Sequence, residues 1–269
     1  MKRVQADAIL NRPLALSLGR AGILKREIEA SGVLAFFDDN DGWFSGAPVW
    51  RSGNVAAIGI GGVLLAGKGS FYPYVTCYGD IRESFDEALA DDTVQAIVLA
   101  INSPGGMVSE LFDLADHIYA SRSKKPIVAI LADEAYSAGY ALASSAQTIT
   151  VPRTGGSGSI GVIMMHTDLT KALSDAGIAV TVFRYGEHKA ELNSVEPLTD
   201  GARERAQADI DRIGEMFIDL VARNRGLAPD AIRDMKAETF LGEDGVKLGL
   251  ADAVMSPDAA LEDLRANLT

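Results

Sequence analysis

Three glycine-containing stretches and one lysine carry the residue types from which a hydrolytic site could be built. The first is Asn102-Ser103-Pro104-Gly105-Gly106, directly after the apolar run Val98-Leu99-Ala100-Ile101. Pro104 stiffens the chain, and two glycines permit positive φ and turn backbone N–H groups toward a bound oxygen. An ordinary strand-to-helix turn has the same composition. The second is Asp133-Glu134-Ala135-Tyr136-Ser137-Ala138-Gly139-Tyr140, with Ser137 at the mouth of a small-residue helix. A serine there is either a helix cap or a hydroxyl nucleophile set where free N–H groups favour developing negative charge. A phosphate cradle does not fit, since the sequence holds no GxxxxGK[ST] pattern. The third, Gly155-Gly156-Ser157-Gly158-Ser159-Ile160-Gly161, begins flexible and becomes strand-like. Further on, Arg184-Tyr185-Gly186-Glu187-His188-Lys189 sets a lysine just past a predicted strand end, where its ordinary role is a solvated cation. The chemical alternative is a base: a serine hydroxyl needs one within hydrogen-bond reach, and lysine serves when neutral, the form that burial among apolar groups favours.

Elements of α/β type must position these groups. Val55 to Leu65, Val94 to Ile101, Ile127 to Leu131, Thr148 to Val151, Ile160 to Met165 and Ile178 to Phe183 read as strands, several apolar on both faces as buried parallel strands are. Between them Ile81/Phe85/Leu89 and Leu111/Leu114/Ala115/Ile118 recur at helical spacing, and a long helix runs from about Thr199 to Arg225. The alternation implies a mainly parallel sheet covered by helices. Residues 1–52 break this rhythm. They hold one helical stretch near 21–30 and both tryptophans, Trp43 and Trp50, with Phe36-Phe37 close by. We read 1–52 as an arm, 53–255 as the main domain and 256–269 as a C-terminal tail.

Composition narrows the function classes. The 269 residues are 48% hydrophobic and 23% charged, which is globular and excludes disorder or a disulfide scaffold. The 25 Lys and Arg against 37 Asp and Glu give a net charge of −12, so nucleic acid and anionic lipid are poor partners. The single cysteine, Cys77, cannot form an internal disulfide and reads as a structural thiol in a reducing compartment. Asp7, Arg12 and Pro13 interrupt any signal-peptide core, and Val55 to Ala66 is too short to span a membrane. No metal-ligand spacing and no cofactor motif is expected from the sequence.

The combination of Ser103-Pro104-Gly105-Gly106, a serine in Ala135-Tyr136-Ser137-Ala138-Gly139-Tyr140, then Gly158-Ser159-Ile160-Gly161-Val162 and Gly186-Glu187-His188-Lys189 resembles the signal peptide peptidase A family of serine peptidases. Thr239-Phe240-Leu241 and Gly249-Leu250-Ala251-Asp252 extend the resemblance over about residues 53–255. It implies a crotonase-like or Clp-protease-like ββα spiral and a Ser-Lys dyad without a cofactor. Carried over by position, the nucleophile falls on Ser137 and the base on Lys189, 52 positions later. Ser159 matches the serine that orients the lysine, and the oxyanion falls to Gly105, Gly106 and Ala138, the backbone N–H groups of Gly106 and Ala138 being the donors. Ala138 replaces the more usual glycine.

Asn11-Arg12-Pro13-Leu14-Ala15-Leu16 looks like the soluble branch of tailed phages and prophages, the lambda-type head maturation proteases. Membrane-bound members carry an N-terminal anchor that is not seen here. A scaffold segment can follow the protease in that branch, whereas this sequence ends at Thr269. The resemblance therefore implies polypeptide substrates such as capsid, scaffold or portal proteins, a homo-oligomeric ring, and work in the bacterial host cytoplasm or the phage prohead. Two rivals share the scaffold. A Clp-like peptidase would use His166, 29 positions after Ser137, as base, and a non-catalytic capsid assembly component would use the fold alone. Acyl-CoA chemistry leaves the coincidence of Ser137 and Lys189 unexplained. His117 and His188 read as a helix-face and a rim residue.

Overall fold

The computed structural model describes residues 14–16, 49–69 and 75–268. The described strands are β1 (Leu14–Leu16), β2 (Val49–Ser52), β3 (Val55–Leu65), β4 (Val75–Cys77), β5 (Ala96–Met107), β6 (Ile127–Tyr136), β7 (Thr148–Val151), β8 (Gly156–Gly158), β9 (Thr239–Leu241) and β10 (Ala253–Val254). The helices are α1 (Tyr78–Ala90), α2 (Leu111–Ala120), α3 (Ala138–Ser144), α4 (Thr170–Asp175), α5 (Asp200–Arg225), α6 (Pro229–Asp234), α7 (Gly242–Lys247) and α8 (Pro257–Ala266). One sheet runs β10-β7-β6-β5-β3-β2, and its β3, β5, β6, β7 and β10 are mutually parallel. This is the expected α/β class with a mainly parallel sheet.

Alternation along β5 divides the core between two faces, as the pleat requires. Ile97, Leu99 and Ile101 pack with Ile81 and Phe85 of α1, Leu111, Leu114 and Ile118 of α2, and Leu142 of α3. Ala96 and Val98, pointing the other way, join Val55 and Ile130 under Ala260, Leu261 and Leu264 of α8. Burying a side chain such as Leu99 contributes about 1.5–3 kcal/mol relative to exposure, so the two clusters account for why this sheet is apolar on both faces.

The long helix α5 lies close to where its pattern put it. Thr199 caps it by accepting from the Ala202 N–H at 3.2 Å, and Gly226, at φ 68°, ends it in the left-handed conformation. Phe217, Leu220 and Val221 bury its inner stripe, and Asn224 Nδ2 donates to Ser144 Oγ of α3 at 3.0 Å. At the same end Tyr140 donates from its hydroxyl to the Leu250 carbonyl at 2.8 Å. The short helix behind Ser137 is thus tied down from two directions.

Three expectations are corrected. Asn102–Gly106 is the end of β5, with Ser103 paired to Ala135 and Gly105 to Val63 across shifts of register, so these glycines serve a bulged strand and not a loop. Ile160–Met165 and Ile178–Phe183 are not strands. A strand persists only where a neighbour takes up its N–H and C=O groups. Apart from an isolated bridge at Ile163, neither stretch pairs with a described strand, and Ile178, Val180 and Phe183 stand 53%, 46% and 93% exposed. The helical stretch near 21–30, Phe36, Phe37 and Trp43 fall outside the described residues; Trp50 lies on β2 and is exposed.

Candidate active site

Four segments converge at the carboxyl ends of β5 and β6. Ser137 is the single residue between β6 and α3, at φ 52° and ψ −116°. A non-glycine residue there is strained by about 1–3 kcal/mol and persists only when its surroundings impose it. They do so through the backbone. The Ser137 N–H donates to the Gly158 carbonyl at 2.9 Å, and the Ser137 carbonyl accepts from the Ala141 N–H at 2.9 Å. This sharp strand-to-helix turn resembles the nucleophile elbow of the α/β-hydrolase fold in its physical logic: it places one hydroxyl at a sheet end beside backbone N–H groups. The Ser137 hydroxyl donates to the Gly161 carbonyl at 3.3 Å.

The glycines around Ser137 are required by contact. A Cβ on Gly106 would lie 1.9 Å from the Leu64 carbonyl oxygen, and one on Gly156 would lie 1.9 Å from the Tyr136 hydroxyl. On Gly158, at φ 106°, it would meet the Glu238 carbonyl at 2.6 Å. Gly139 lets α3 approach β5, since its Cβ would stand 3.0 Å from the Ser103 carbonyl. Ser103 completes the arrangement. Fully buried, it donates to the Gly62 carbonyl at 2.7 Å and accepts from the Gly105 N–H at 3.1 Å, holding Gly105 at φ 109°. Reading the sequence for chemistry missed Ser103 and Gly139 as positioning residues. The signal was available in the bunching of small residues at 103–106 and 137–139.

Ser159 also has positive φ, 54°, and its N–H donates to the Glu238 carbonyl at 2.8 Å. It lies two residues before Gly161, so the third glycine stretch does run past Ser137. Ala138 opens α3, where the first-turn N–H groups have no carbonyl one turn earlier to bond. Gly105, Gly106, Ala138, Ser137 and Ser159 therefore belong to one neighbourhood.

Lys189 does not join it within one chain. Its side chain is exposed and has no hydrogen bond or ion pair to any described residue, so the apolar burial that would favour a neutral lysine is not supplied by these residues. The loop carrying it is nonetheless well organised. Asn193 donates to the Ala190 carbonyl at 2.6 Å and accepts from the N–H groups of Val195 and Glu196, while Glu191 pairs with Arg205 of α5 and with His188. These partners hold the Glu191 carboxyl below its usual range, the Arg205 hydrogen bond being the largest cause.

The rival base, His166, has its Nε2 3.0 Å from the Asn193 carbonyl, and His117 pairs with Asp86. Cys77 is buried, and burial, with Asp80 and Glu110 nearby, pushes its thiol up to about 11, as suits a structural thiol. Among the described residues no His/Cys/Asp/Glu group has the makings of a metal site, and no helix is long and apolar enough to cross a membrane.

Known proteins similar in sequence include two from tailed phages. The head-tail preconnector protein GP5 of Enterobacteria phage P21 is 35% identical over 242 residues, covering 87% of this chain and 48% of that protein. The capsid assembly protease C of Escherichia phage lambda is 33% identical over 239 residues, covering 88% and 54%. The chain thus spans about half the length of these curated relatives. Among solved structures, an apo Mtb enoyl-CoA isomerase superposes with a TM-score of 0.49 at 16% identity, covering 83% of each chain. The sequence profile of Peptidase family S49 matches residues 119–269, more than half of the chain and inclusive of Ser137, Ser159 and Lys189, so the chain belongs to Peptidase family S49.

Proposed function

We propose that the chain is a serine endopeptidase in which Ser137 is the nucleophile and Lys189, supplied by a neighbouring copy, is the general base. The observation that carries the reading is the imposed backbone of Ser137, a strained serine at a strand-to-helix turn in a Peptidase family S49 chain. In the reaction the Ser137 hydroxyl oxygen attacks the peptide carbonyl carbon as its proton passes to neutral Lys189 Nζ. Backbone N–H groups of Gly106 and Ala138 stabilise the tetrahedral oxyanion, with Gly105 shaping the bulged end of β5. The C–N bond then breaks as the lysine returns the proton to the leaving amine. Water, deprotonated by the same lysine, attacks the acyl-enzyme and releases the acid and free Ser137. Ser159 acts as a positioning residue for the lysine.

Supply of the base by a second copy is supported by two features of the same segment. Lys189 is presented on an organised but exposed loop, and the preceding apolar run is exposed as well. A closed ring would bury that run and bring the lysine to the next subunit's serine. The peptidase domain in this reading is 53–255, preceded by the arm 1–52, and the expected tail 256–269 adds α8, which packs on the sheet through Ala260, Leu261 and Leu264. With a capsid assembly protease and a head-tail preconnector protein among the relatives, we take the substrates to be capsid-related polypeptides; scaffold and portal proteins as further substrates, and processing in the host cytoplasm or the prohead, follow from the family resemblance. Labelling with a fluorophosphonate tests the reading. Wild type should be modified at Ser137 and Ser137→Ala left unmodified; equal labelling of both overturns it.

A further inference from the structure

We propose that the edge of β5 over Gly105–Met107 is the docking strand for the acyl-side backbone of the substrate, and that β1 lies in that position as a self-inhibiting strand. This rests on the peptidase reading above, with Ser137 as nucleophile. A strand has two edges. On one, β5 pairs with β3 through Val63↔Gly105 and Leu64↔Gly106. On the other it pairs with β6 as far as Ser103↔Ala135, after which β6 ends at Tyr136 and the chain turns through Ser137 into α3. The edge so vacated is taken by β1, antiparallel, with Leu14↔Met107, Ala15↔Gly106 and Leu16↔Gly105.

Register decides what this strand imitates. Carrying the parallel pairing two residues beyond Ser103↔Ala135 brings Ser137 level with Gly105, the residue opposite Leu16. β1 therefore runs toward the nucleophile with its C-terminal residue nearest, the direction in which the acyl part of a peptide approaches a serine. Ser137 is 1% exposed, so the nucleophile is covered in this state. A substrate must displace what lies on the edge, and a strand of three residues is short enough to yield. Recognition through a backbone ladder requires an extended segment of almost any sequence, which selects unfolded or mobile polypeptide over folded domains.

Hydrogen exchange on the full chain tests the idea, with a peptidyl boronate and phenylboronic acid as probes that both bond to the serine oxygen. The peptidyl probe should remove protection from the amides of residues 14–16 and phenylboronic acid should not. Retained protection with the peptidyl adduct on Ser137 overturns the proposal while leaving the peptidase reading intact. A second measurement uses Ala15→Pro/Leu16→Pro, which removes the N–H of two adjacent residues, one of which must face β5. Relieved of the competing strand, this variant should hydrolyse casein with kcat/KM raised about fivefold or more. An unchanged value in a variant that melts like wild type overturns the proposal. Hydrolysis undiminished in Ser137→Ala overturns the peptidase reading, and the strand proposal with it.

Discussion

The sheet between Val55 and Gly158 and the segment from Ile178 to Phe183 are written in similar residues and end in opposite states. Ile97, Leu99 and Ile101 on β5 are fully buried; Ile178, Val180 and Phe183 are exposed. Both runs are rich in β-branched residues, so propensity does not separate them. The partner does. β5 has neighbours on both edges and helices over its face, whereas 178–183 pairs with no strand among the described residues. An apolar run left exposed between two organised pieces of chain usually marks a surface made for another molecule.

The sharpest way to break this comparison separates the two regions genetically. Ser137→Ala and Lys189→Ala should each lower casein hydrolysis by roughly a thousandfold or more, as the loss of a nucleophile or its base does, while His166→Ala keeps most of the activity. If the dyad forms between copies, refolding the two inactive variants together should restore about a quarter of wild-type activity, because a random ring pairs an intact serine with an intact lysine that often. A dyad closed within one subunit leaves the mixture inactive. The rate of the wild type should also rise with pH on the limb governed by the base, since only a neutral amine accepts the proton. An optimum on the acid side counts against lysine.

Stability sharpens the same contrast. Leu99→Ala should cost about 2–5 kcal/mol in denaturant unfolding, from lost transfer energy and the cavity left behind. Phe183→Ala should change the unfolding of the isolated subunit by about 0.5 kcal/mol or less, and yet weaken assembly in sedimentation velocity. A large loss of subunit stability with assembly unchanged would show that Phe183 serves its own chain. The smallest effect concerns Cys77. With its thiol pushed up to about 11 by burial, it should resist iodoacetamide near neutral pH until the protein is unfolded.

The sequence by itself determined the local and the periodic. Apolar runs with helical stretches between them marked the parallel sheet, the Thr199 cap and Gly226 stop bounded α5, and the glycine-flanked serine marked a strand-to-helix turn, because each depends on neighbours in the chain. The tertiary structure alone decided that Ser103 is anchored to Gly62, that Gly106 leaves no room for a Cβ beside Leu64, that Gly139 lies close against Ser103, and that Ser137 sits at positive φ against Gly158, since these follow from contacts between segments distant in the chain. It also decided that Ile178–Phe183 stays out of the sheet and that the Lys189 side chain stands exposed. Periodicity records what a segment can pair with, and only the assembled fold supplies or withholds the partner.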